Sequence, residues 1–130
     1  MKKIQKIFAL AVLSLGFLTV SAQNDYFKDF PVGAKPEIVG KKLSNRLMET
    51  KHHLYGDRGI HYAEVCTWYG ALRFAEVTKD DALLQKLRNR FELLFHIEKN
   101  LLPPPIHVDQ NMFGSLPLKL YRLTGDERYK

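Results

Sequence analysis

Cysteine is nearly absent: Cys66 is the only thiol in the chain, so no internal disulfide can form. Neither a CxxC nor an HExxH pattern occurs, which removes the common zinc and dithiol signatures. There is no glycine-rich phosphate loop and no G-x-S-x-G nucleophile elbow. No stretch alternates convincingly between apolar and polar residues, so strands are not expected. Charge of one sign is scarce as well. The whole chain carries +6, but Lys2, Lys3 and Lys6 belong to a leader, leaving 17 Lys and Arg against 14 Asp and Glu. So mild a basic balance does not argue for nucleic acid.

What is present begins with that leader. Lys2, Lys3 and Lys6 precede an apolar run, Ile7 to Val20, followed by Val20-Ser21-Ala22. This is the charged, apolar, small-residue order of a secretory signal peptide. Fourteen residues rise only about 21 Å as a helix, short of a hydrocarbon core of roughly 30 Å. Residues 1–22 are therefore expected to be removed, with no membrane attachment afterwards, and the mature protein to start near Gln23 in a periplasm.

Residues 23–35 hold Phe27, Phe30, Pro31 and Gly33 without a sustained period and read as an irregular arm. From 36 onward the pattern is helical. Val39, Leu43 and Leu47 predict an apolar stripe on a first helix, Pro36 to about Glu49, with Pro36 suited to its first turn. Gly56-Asp57-Arg58-Gly59 lies in a loop. Further helices are expected over about 61–77 and 80–97, the latter with Leu84, Leu87, Phe91 and Leu94 inward and Lys86, Arg88 and Arg90 elsewhere. Pro103-Pro104-Pro105 makes a stiff link, and a last helix over about 109–123 should bend at Pro117. The class is all-α.

Residues 71–81 resemble residues 117–127 at an offset of 46, with seven of eleven positions identical or conservative. Both segments end in a helix-start signal, Thr78 to Asp81 and Thr124 to Glu127, a hydroxyl and a carboxylate three residues apart, and the same offset pairs His61 with His107. The repeat predicts a helical hairpin that stacks with copies of itself. About two repeats fit, where three or more are normally needed, so residues 36–130 are expected to be the N-terminal part of a longer domain.

Alternate helices of such a stack point the same way. His61, Tyr62, His107 and Asp109 then share one rim, with Glu64 and Trp68 deeper along the same helix. Aromatic faces, imidazoles and carboxylates at one mouth suit a carbohydrate. Each residue also has a plainer reading: Asp109 as an N-cap, Trp68 as core, Tyr62 and Tyr69 as packing residues, Glu64 as a surface acid. His52 and His53, being adjacent, make a poor metal pair. Cys66, mid-helix, reads as a buried small hydrophobe.

Tyr62 to Asp80, and His107-Val108-Asp109-Gln110-Asn111-Met112-Phe113-Gly114 followed by Leu120 to Tyr129, resemble the inner helices of the unsaturated uronyl hydrolases, glycoside hydrolase families 88 and 105. The resemblance implies an (α/α)6 barrel, a six-hairpin toroid, of which this chain holds the first two hairpins or so. It implies removal of 4,5-unsaturated uronic acid from lyase-generated oligosaccharides by hydration of a vinyl ether, with no metal or organic cofactor. Asp109 matches the first of two important aspartates, His107 its neighbouring histidine and Trp68 a substrate-stacking tryptophan. The second aspartate would come after Lys130, so this portion is expected to be inactive alone. Two alternatives remain: a non-catalytic helical-repeat module binding glycans or proteins, and another toroid enzyme, an epimerase or a polysaccharide lyase.

Overall fold

A computed structural model describes residues 29–130. The expected leader, residues 1–22, and most of the arm lie outside the described residues. The described part of the arm turns where the Ala34 amide bonds the Pro31 carbonyl at 2.9 Å.

The regular structure of residues 36–130 is helical, as their periodicity predicts, with non-helical links over 50–61 and 102–107. Helix α1 spans Pro36–Glu49, α2 Tyr62–Thr78 and α3 Asp81–Glu92. A short α4, Val108–Asn111, leads through a 3-10 turn at Met112–Gly114 into α5, Ser115–Thr124. Among the described residues no strand forms; Leu54 and Ile60 make an isolated antiparallel bridge. No helix among them is long and apolar enough to cross a membrane.

Helix α2 is central and packs against α1, α3 and α5. Its inward face is Glu64, Val65, Trp68, Ala71, Leu72 and Ala75, spaced by three and four residues. Leu83, Leu87, Phe91 and Leu94 meet it from α3 and the turn after it, and Leu116 and Leu120 from α5.

Both hairpin turns use one device. Lys79 at φ 54° and Gly125 at φ 69° take left-handed backbone, and Asp80 and Asp126 then cap the next helical turn. Asp80 accepts the Leu83 amide and Asp126 the Arg128 amide. Thr78 and Thr124, expected as hydroxyl caps, donate backward to the carbonyls of Phe74 and Leu120, and Thr124 alone also accepts an amide, that of Asp126 at 3.2 Å. Those acceptors are themselves 46 residues apart, so the repeat extends to these backward bonds, while the caps differ: Asp80 reaches three residues on and Asp126 two.

The structure corrects several assignments of face. Val39 and Leu43 are exposed; α1 docks through Leu47, the one member of the expected stripe that is buried, and through Ser44. Gly40 explains why: a Cβ there would stand 2.4 Å from Phe74 Cδ2, so the helices meet where the side chain is missing. Cys66 is exposed, because it lies on the face of α2 opposite Val65 and Trp68. Helix α3 stops at Glu92 and continues as 3-10 turns, short of Ile97. The break in the last helical stretch falls at Met112–Gly114, ahead of Pro117. Pro117 has no amide to offer the Phe113 carbonyl, and its ring crowds that oxygen, so the α-ladder yields there. Arg88 and Arg90 are drawn into side-chain networks rather than facing solvent.

Candidate functional site

Two histidines start two parallel helical stretches. His61 has extended backbone, φ −71° and ψ 142°, and its Nδ1 accepts the Ala63 amide at 3.1 Å. His107, φ −141° and ψ 154°, repeats this with the Asp109 amide at 3.3 Å. Imidazole thus does the work usually given to Ser or Asp at a helix start. In the neutral ring this leaves the proton on Nε2, a donor free to face a ligand. That α2 and the stretch from α4 into α5 run in the same direction is clear from their contacts: the starts of α2 and α4 share a cleft, and farther along Lys119 of α5 bonds Glu76 at 2.8 Å.

The cleft holds about 210 Å³ and is lined by His61, Tyr62, His107 and Asp109, together with Tyr55, Arg58 and Gln110. Four residues singled out by sequence therefore converge. Asp109 Oδ2 stands 3.5 Å from His107 Nδ1, and both side chains are more than half exposed. His61 lies in an aromatic group, its ring centroid 4.5 Å from Tyr62, 4.6 Å from His53 and 5.2 Å from Tyr55. Apolar ring faces and polar edges at one mouth are what a sugar, apolar above and hydroxylated around, is recognised by.

Trp68 is not among them. It is fully buried, 5.8 Å from His52 in a stack and 5.9 Å edge-on from Phe91, with the Arg90 guanidinium 5.4 Å over its ring. The stacking role that the resemblance gives Trp68 is corrected to a core role: at its place on α2 the indole points into the bundle. Glu64 is corrected likewise, from surface acid to buried acid. It accepts from His52 Nδ1 at 2.6 Å, from Arg90 Nη2 at 3.0 Å and from the His53 amide. Burial alone would raise the Glu64 carboxyl, but the bonds from His52, the His53 amide and Arg90 outweigh it and hold it below the ordinary range. His52 also reaches Glu98 at 3.2 Å, so the adjacent histidines diverge, one into this network and one toward His61.

Sequence reasoning missed Tyr55, Arg58 and Gln110. Tyr55 and Arg58 sit on a turn that is pinned from both sides. The Arg58 amide bonds the Tyr55 carbonyl at 3.0 Å, the Tyr55 amide bonds the Gly59 carbonyl at 2.9 Å, and the Ile60 amide bonds the Leu101 carbonyl at 2.9 Å. Gly59, at φ 84°, lies so close to the 101–103 backbone that a Cβ would come within 2.6 Å of the Leu101 oxygen. The usable signal was Gly56 and Gly59 bracketing a cation directly before a helix start.

A second polar cluster surrounds Tyr129. Arg88 bonds the Tyr129 hydroxyl at 3.0 Å and Asp126 at 2.6 Å, and Arg128 reaches Glu92 at 2.9 Å. Bonds from the Arg128 side chain and amide bring the Asp126 carboxyl down to about 2. Burial, with the Glu92 carboxylate beside it, pushes the Tyr129 phenol up to about 12. Among the described residues no three His, Cys, Asp or Glu side chains converge on a metal position. Set against known protein families, curated proteins and solved structures, the chain matches none.

Proposed function

We propose that residues 36–130 are the opening arc of an (α/α)6 toroid. In this reading the intact protein is a secreted glycoside hydrolase that removes 4,5-unsaturated uronic acid from lyase-generated oligosaccharides. The observation that supports it is the convergence of His61, Tyr62, His107 and Asp109, from segments 46 residues apart, on one cleft. The matched helix starts, both capped by histidine, are what a toroid built from repeated hairpins requires at its mouth.

The reaction hydrates a vinyl ether. An aspartic acid gives its proton to C4, water adds at C5, and the resulting hemiketal opens to release the sugar. Two neighbouring carboxyl groups serve this well, because one of a close pair is kept protonated while the other is ionised. Asp109 is the first of the pair; the resemblance assigns the second to a further inner helix. His107 and His61 offer Nε2 donors to ring hydroxyls. Tyr62, with its ring partly exposed at the cleft, takes the stacking part that Trp68 cannot.

The test uses the intact protein and lyase-generated oligosaccharides, tracking loss of the enol-ether absorbance in the ultraviolet. Asp109→Asn is expected to slow that loss by roughly 10²-fold or more. A rate unchanged in Asp109→Asn overturns the assignment of that residue. Sugar binding without any turnover in the parent protein would favour the non-catalytic glycan-binding module instead.

A further inference from the structure

Beside its two histidines the cleft contains one cation and one carboxylate, Arg58 and Asp109. Among the described residues Arg58, like Arg46 and Arg122, has no carboxylate within ion-pair distance, whereas Arg73, Arg88, Arg90 and Arg128 each hold one; of the three, only Arg58 lines the cleft. Arg58 instead rests its guanidinium 5.8 Å over the Tyr55 ring, which orients the fork without neutralising it. Its backbone is held by the turn between Gly56 and Gly59, and that turn is fastened to the Leu101–Pro103 segment. An arginine that is unpaired, rests on one aromatic ring and lines a cleft is suited to a planar oxyanion, which it grips through two parallel N–H bonds.

We infer that Arg58 is the acid-recognising residue of the cleft and binds the carboxylate of a uronic acid, so that the site selects anionic over neutral or esterified sugars. The inference rests on the carbohydrate reading proposed above and adds to it the residue that reads the charge. It also orients the ligand. A carboxylate drawn to Arg58 is kept from the Asp109 carboxylate, since two anions brought together would repel.

The test is equilibrium binding to the intact protein, separate from turnover. The probes are a disaccharide ending in a saturated uronic acid, its methyl ester and the corresponding neutral disaccharide. Binding is read from shifts of the His61 and His107 ring protons in NMR spectra. The acid is expected to bind about tenfold or more tightly than the ester, as a charge-assisted pair implies. Arg58→Ala should erase that preference, and Arg58→Lys should restore part of it. Equal affinity for acid and ester, or a preference that survives Arg58→Ala, overturns the role of Arg58 while leaving the hydrolase reading to its own assay. If no saccharide binds, the carbohydrate reading and this inference fall together.

Discussion

Within about two turns at the start of α2 the chain builds two polar sites of opposite character. His61 and Tyr62 face a cleft, where Arg58 and Asp109 form few bonds with other side chains. Glu64 and Trp68, a few residues on, face inward, where Glu64 gathers His52, Arg90 and the His53 amide. The inner site turns its Glu64 carboxylate wholly onto its own neighbours, leaving Trp68 Nε1 and Arg90 Nε as buried donors without a partner, and holds the loop, α2 and α3 together. The outer site keeps donors and acceptors in reserve. Residue type does not separate the two, since both contain His, Arg and a carboxylate. What separates them is whether the partners come from the chain itself.

That contrast can be broken or sharpened by substitution. Glu64→Ala strips the buried Arg90 and His52 of their common acceptor and is expected to destabilise by about 3–5 kcal/mol in denaturant unfolding. A loss below about 1 kcal/mol would mean the inner network is not structural. Gly59→Ala adds a Cβ against the 101–103 backbone in a positive-φ position, for a cost of about 1–3 kcal/mol on the same measurement.

The cluster around Tyr129 gives the comparison a pH axis. The Asp126 carboxyl lies at about 2 in the folded protein against an ordinary 3.8. The unfolded chain therefore takes up that proton first, and the stability Asp126 supplies is whole above about pH 4 and lost as pH falls toward 2. The Tyr129 phenol moves the other way, from 10.0 up to about 12, so its share is whole below pH 10 and lost as pH rises through 12. Urea midpoints measured across pH should fall at both ends, and Asp126→Asn should flatten the acid limb.

Smaller effects come last. Lys79→Gly relieves the left-handed backbone that Gly125 adopts freely in the equivalent turn, and should stabilise by up to about 1 kcal/mol. Asp109→Asn, in the outer site, should change folding stability by no more than about 0.5 kcal/mol, as at an ordinary exposed position. A large loss there would erase the distinction between the two sites.

The helices were legible because their punctuation is local. Pro36 opens α1, Thr-Lys-Asp and Thr-Gly-Asp close α2 and α5, and the offset of 46 ties His61 to His107 by sequence alone. The rim residues come from that offset. What local pattern could not supply is which face turns inward. Helix α2 is apolar on most of its circumference, so Cys66 and Val65 look alike in sequence, yet one is exposed and the other buried. In α1 the stripe of Val39 and Leu43 was real but lost to Gly40 and Ser44, since close approach requires small residues rather than greasy ones. Glu64 meets Arg90 across 26 residues and Arg88 meets Asp126 across 38, separations at which charge pattern carries no signal.

The buried indole has a practical corollary. The chain contains a single tryptophan, and that side chain sits sealed between α2, α3 and the loop bearing His52. Light emitted by this fluorophore therefore comes wholly from the inner seam, with no background from the cleft. Its spectrum should shift to the red when the seam opens to water and stay still when a ligand merely enters the mouth, so one cuvette experiment can tell melting from occupancy.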